Sequence, residues 1–112
     1  MSGAEAMSEA VKVELDRYIG FISSLTGVLQ IYLFGSYANG DPQETSDIDL
    51  MIIVDNNMDP FKTAYKIRRG LTETDLTLDI VVNRKSAFEE ATSNSSFQKT
   101  IKEKGVLLYA GQ

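Results

Sequence analysis

Apolar residues recur at helical spacing from Ser8 onward, at Val11, Leu15, Tyr18, Ile19, Ile22 and Leu25. Ser8 is placed to cap this helix and Gly27 to stop it. Val28 to Phe34 is a short run of strand formers closed by Gly35, and Asp47 to Val54 is a second. Between them Asp41-Pro42 marks a turn, which leaves Ser36 to Asn39 room for one helical turn at most. Asp59-Pro60 has the form of a cap followed by proline at the first helical position. The helix it opens is expected to reach about Arg69, with Phe61, Ala64, Tyr65 and Leu71 facing inward. Leu76 to Val82 predicts a third strand. Arg84 to Thr92 and Phe97 to Lys104 predict two amphipathic helices parted by Ser93-Asn94-Ser95, and Val106 to Tyr109 a short closing strand. The order is that of an α/β (α+β) domain, a small mixed sheet of three to four strands backed by helices.

The chemistry lies where the first two strands meet. Gly35-Ser36, a ten-residue spacer and Asp47-Ile48-Asp49 set a small-residue turn against two carboxylates. On a strand, residues i and i+2 project from one face, so Asp47 and Asp49 can share a hard cation while Ile48, Leu50, Ile52 and Val54 pack behind them. Two like charges so close repel each other and call for a counter-ion. Mg²⁺ suits them, because it takes one or two carboxylates together with phosphate oxygens. Glycine lets a backbone approach phosphate closely, and Ser36 adds a hydroxyl and an N–H. Together the two halves describe a nucleoside triphosphate site.

The turn and the aspartates meet only if the first two strands are antiparallel. A parallel crossover through the next helix then brings Asp79 beside Asp47 and Asp49. Asp79 interrupts Leu78-Asp79-Ile80-Val81-Val82, an otherwise buried-looking run, and a third metal carboxylate would account for it. These requirements put the helices on the sheet face opposite the carboxylates. By parity Met51, Ile53 and Val81 share the carboxylate face, to be covered by a local turn or by a partner.

Composition narrows the chemistry. The chain has 112 residues, the length of one domain, with no cysteine and no histidine. Thiolate metal sites and histidine general bases are excluded, leaving carboxylates, hydroxyls, lysine, arginine and metal. The net charge of −5 argues against tight, sequence-independent nucleic-acid binding. No run approaches the roughly 20 apolar residues of a membrane span, and a cytoplasmic location follows as the expectation. Lys66, Arg68 and Arg69 read as a solvated helix face, and Tyr18, Tyr32 and Tyr65 as core or interface residues rather than acceptors.

Gly35-Ser36, the spacer, Asp47-Ile48-Asp49 and a downstream Asp79 in a strand resemble the DNA polymerase beta-like nucleotidyltransferase superfamily. The short length and the terminal Lys104-Gly105-Val106-Leu107-Leu108-Tyr109 resemble its minimal branch, the MNT domains. Residues 1–7, small, polar and aperiodic, read as a disordered tail, and the resemblance implies a single nucleotidyltransferase domain over 8–112. It implies that Gly35 and Ser36 bind triphosphate and that Asp47, Asp49 and Asp79 are the catalytic, metal-binding carboxylates. Mg²⁺ is the implied ion, with Mn²⁺ able to substitute, and ATP the substrate. Asn39 stands where many relatives carry arginine, so that residue's phosphate contact is not implied here. Larger members carry a further domain that grips the acceptor, which this length does not accommodate. MNT domains are often the antitoxins of HEPN-domain proteins. The resemblance therefore implies AMP transfer to a partner's tyrosine hydroxyl, with a homo-oligomer as the other assembly considered. The alternatives are a small-molecule acceptor, as in antibiotic nucleotidyltransferases, or a non-catalytic antitoxin that acts by contact.

Overall fold

The computed structural model describes residues 8–35, 37–38, 47–73, 76–94 and 96–111. The tail at 1–7, Ser36, Asn39 and the Asp41-Pro42 turn lie outside the described residues. Helix α1 spans Glu9–Ser23, and the Ser8 side chain accepts a hydrogen bond from the Val11 N–H at 3.3 Å. That bond satisfies one of the donors a helix start leaves unpaired. Strand β1 covers Val28–Phe34 and β2 covers Ile48–Val54. Helix α2, Pro60–Gly70, is capped by Asp59, whose carboxylate accepts from the Phe61 N–H at 2.9 Å. Strand β3 is Leu78–Arg84, followed by α3 (Lys85–Asn94), α4 (Ser96–Lys104) and β4 (Val106–Ala110).

The sheet order is β3-β2-β1-β4. β1 and β2 are antiparallel, and β2 and β3 are parallel, as the gathering of the aspartates requires. β3 begins two residues later than expected. Pairing starts with Ile48 opposite Leu78, and Leu76 instead packs on the core from the connection.

Two apolar layers sandwich the sheet. Ile31, Leu33, Ile48, Leu50, Ile52 and Val54 face Leu15, Tyr18 and Ile22 of α1 and Ile67 of α2. On the other face Tyr32, Met51 and Ile53 are buried against Phe88 of α3 and Ile101 of α4. The expectation of helices only opposite the carboxylates is therefore corrected. The run Leu50–Val54 is apolar at every position, so both faces of β2 need cover, and α3 and α4 supply it on the second. Removing the middle of this strand opens a cavity on a sheet that cannot collapse around it. Ile52→Ala is expected to cost about 2–5 kcal/mol, read as a lowered urea midpoint at unchanged slope.

The inward face of α2 also differs from expectation. Phe61 is 85% and Tyr65 59% exposed, while Thr63 and Ile67 are buried. Ile67 and Leu71, four residues apart, anchor the helix to the core. At about 100° per residue, Phe61 and Tyr65 lie roughly 120° and 160° round the helix from Ile67.

Candidate active site

Three features of the chain converge at one end of the sheet. β1 ends at Phe34, and Gly35 turns the chain with φ of 79°, a conformation that L side chains rarely adopt. A Cβ there would collide with the Asp49 carboxylate. Tyr37, just past the turn, is buried in the core beside Leu33 and Ile48 and ties the turn to the sheet. The sequence reading missed this anchor, although an aromatic residue directly after Gly-Ser was visible. Ser36, the expected phosphate ligand, lies outside the described residues.

Asp47 sits immediately before β2 and Asp49 is its second residue. The neighbours Ile48 and Leu50 are fully buried, which holds Asp49 on the opposite face of the strand. Asp49 pairs in register with Phe34 of β1 on one side and Asp79 of β3 on the other. Adjacent strands are about 4.8 Å apart, so the register places Asp79 beside Asp49. Asp47 and Asp79 are close enough to share a side-chain hydrogen bond. Of the expected residues, Gly35, Asp47, Asp49 and Asp79 are thus brought together.

Among the described residues no lysine or arginine forms an ion pair with these aspartates. Partial burial raises the Asp47 carboxyl above its ordinary value, and so do the hydrogen bond and the charge of Asp79. Asp49 is raised by burial first, then by Asp79 and Asp47. Such mutual repulsion is what a divalent cation relieves, and the all-oxygen donor set fits Mg²⁺. Among the described residues, no three acidic side chains are drawn into a finished ion cage.

Beside the Gly35 turn lies a cavity of about 220 Å³. Phe34, Gly35 and Ala38 form one side of it, and Thr100, Ile101 and Lys104 of α4 the other. Thr100 had no signal beyond an amphipathic helix, and Lys104 none beyond the terminal motif, because only the fold brings α4 to this turn. Crowding at Gly35 gives a direct test. Gly35→Ala combines an unfavourable backbone conformation, about 1–2 kcal/mol, with displacement of Asp49. A lower melting temperature is expected, together with loss of the thermal shift on adding Mg²⁺ and ATP.

A family model described as "Polymerase beta, Nucleotidyltransferase" matches residues 18–112 and so takes in every element of this site. The chain belongs to this nucleotidyltransferase family. Two proteins of Methanocaldococcus jannaschii, each named "Putative protein adenylyltransferase", are similar to it. One is 32% identical over 97% of this chain and 100% of its own length. The other is 34% identical over 69% of this chain and 75% of its own length. Among solved structures, a "putative nucleotidyltransferase from Sulfolobus solfataricus" superposes with a TM-score of 0.60. It is 21% identical, with 93% of this chain and 89% of that one covered. A toxin-antitoxin structure with AMP-PNP gives a TM-score of 0.50 at 20% identity, with 90% of this chain and 74% of that one covered. These likenesses establish the nucleotidyltransferase fold. They match the mixed four-stranded sheet with four helices seen among the described residues. No helix among the described residues is long and apolar enough to cross a membrane.

Proposed function

We propose that this nucleotidyltransferase moves AMP from ATP onto a hydroxyl of a partner protein, a tyrosine of a HEPN-type toxin being the first candidate. The observation that carries the reading is the register of Asp49 with Asp79 beside the Gly35 turn. The naming of both Methanocaldococcus relatives as protein adenylyltransferases supports a protein acceptor. The toxin-antitoxin neighbour with AMP-PNP supports an ATP-like donor and a toxin partner.

In this reading the acceptor oxygen attacks the α-phosphorus in line, a P–O bond forms, and the bond from the α-phosphorus to the bridging oxygen breaks. Pyrophosphate leaves. Asp79, on the exposed side of the site, takes the hydroxyl proton. Gly35 keeps the backbone close to the triphosphate, and Asp47 and Asp49 would position its reacting end through the cation they hold. Mg²⁺, or Mn²⁺ in its stead, would be held by Asp47, Asp49 and Asp79 and would ease ionisation of the hydroxyl and departure of pyrophosphate. A free tyrosine ionises at about pH 10, so this help is needed at neutral pH.

The protein alone is expected to be nearly idle with ATP, and a partner to start pyrophosphate release. Intact mass should show one adenylyl group on the partner, absent when Asp47 and Asp49 are both asparagine. A small molecule modified in place of the partner would refute the protein-acceptor reading. Full silencing of the toxin by the double variant would show that contact, not transfer, does the work.

A further inference from the structure

We infer that the free edge of β3 is the acceptor-docking groove, taking an extended acidic segment of the modified protein as a fifth strand. This rests on the transfer reading above and names how its acceptor is held. Among the described residues both outer strands of the sheet are edges, but they are not alike. β4 has five residues, and its register with β1 slips between Ile31 and Tyr32. Short length and an irregular register are the usual protections of an edge. β3 has seven residues in unbroken register with β2, without lysine or proline. Its centre, Ile80-Val81-Val82, has the apolar character of an inner strand, yet Val81 is 36% exposed and no described strand lies beyond it. Such an edge is a template for another strand.

The surface beside it is continuous with the site. A hollow of about 350 Å³ includes Arg68, Leu78, Asp79 and Ile80. A second, of about 340 Å³, shares Arg68 and Ile80 and continues to Val82 and to Phe61 of α2. The two together follow β3 away from Asp79. Charge selects the occupant. α2 carries Lys62, Lys66, Arg68 and Arg69 with no acidic residue between Pro60 and Gly70, in a chain of net charge −5. A second copy would oppose one basic α2 to another, whereas an acidic segment complements it. Parity adds a rule. α2 covers the face of Ile80 and Val82, and Asp79 lies on the other, so glutamates and acceptor tyrosine must occupy alternate positions of the added strand.

The test uses the isotope-labelled full chain and an eleven-residue peptide with glutamate at alternate positions and valine, tyrosine and threonine between them. Amides of Leu78–Arg84 are expected to shift and to exchange more slowly with solvent on binding. The same peptide with lysine for glutamate should bind at least about tenfold more weakly, as should the acidic peptide to Arg68→Glu or Val81→Lys. Both variants should keep the parent's thermal shift with Mg²⁺ and ATP. Equal binding of acidic and basic peptides, or shifts confined to β4, would overturn the groove. So would slow exchange along the edge of β3 in the protein alone, which would mean that the chain covers it itself. A dimer in sedimentation that Val81→Lys dissociates would give the edge to a second copy instead. A parent chain without the Mg²⁺–ATP shift overturns the transfer reading and the acceptor role with it, whereas a normal shift with silent β3 amides overturns the groove alone.

Discussion

Asp49→Asn is expected to raise the melting temperature of the metal-free protein while lowering adenylyl transfer by about 10³-fold. The two effects have one cause. Asp49 is held against Asp79 and Asp47, and its carboxyl is raised above the ordinary value by burial and by both neighbours. A group whose folded value is raised binds protons more tightly in the fold than in the unfolded chain. The stability it contributes is fully present below the unfolded value near 3.8 and is lost as pH rises through the folded value. Above that value the metal-free fold therefore holds the Asp49 charge against Asp79 and Asp47, and the amide removes it. The variant should melt a few degrees above the parent at pH 7, and the difference should vanish as pH falls below about 3.8. With Mg²⁺ and ATP the order reverses, because the parent gains a bound ligand and the variant does not. Melting curves over pH, with and without Mg²⁺ and ATP, check both halves. A variant that melts below the parent at pH 7 without metal would show that Asp49 is not under repulsion.

Much of this site was legible because its parts are local. The turn at Gly35 and the projection of Asp49 away from Ile48 and Leu50 follow from glycine and from strand parity. Asp79 was found by topology, since only a parallel crossover brings Leu78-Asp79-Ile80 beside Asp49. What escaped depends on which neighbour an element meets. Phe61 and Tyr65 fit an inward face as well as Ile67 does by spacing, and contact with the sheet decides between them. Met51 and Ile53 were known to need cover, but α3 and α4 could be assigned to that face only in three dimensions. The cavity beside Gly35 has the same origin, because Thr100 and Lys104 lie more than sixty residues from the turn they meet.

Asp79→Asn should separate binding from chemistry, with transfer lowered by about 10²–10³-fold and the thermal shift from Mg²⁺ and ATP largely kept. Asp49 lies between Gly35 and Asp79, so in the proposed reading it is next to the turn that would receive the triphosphate. Asp79 is one strand further out, exposed, and within the hollow that continues along β3. In the proposed reading it would therefore face the arriving hydroxyl rather than the nucleotide. Asparagine keeps its size and can still donate to Asp47, but it cannot take a proton. The loss should consequently appear in the rate at saturating ATP, with the ATP concentration for half-maximal rate little changed. Raising the pH should restore part of the rate, because an acceptor that ionises in solution no longer needs the carboxylate. Equal loss of ATP binding in Asp79→Asn and Asp49→Asn would show that the two acids act as one nucleotide site, with no proton acceptor on β3.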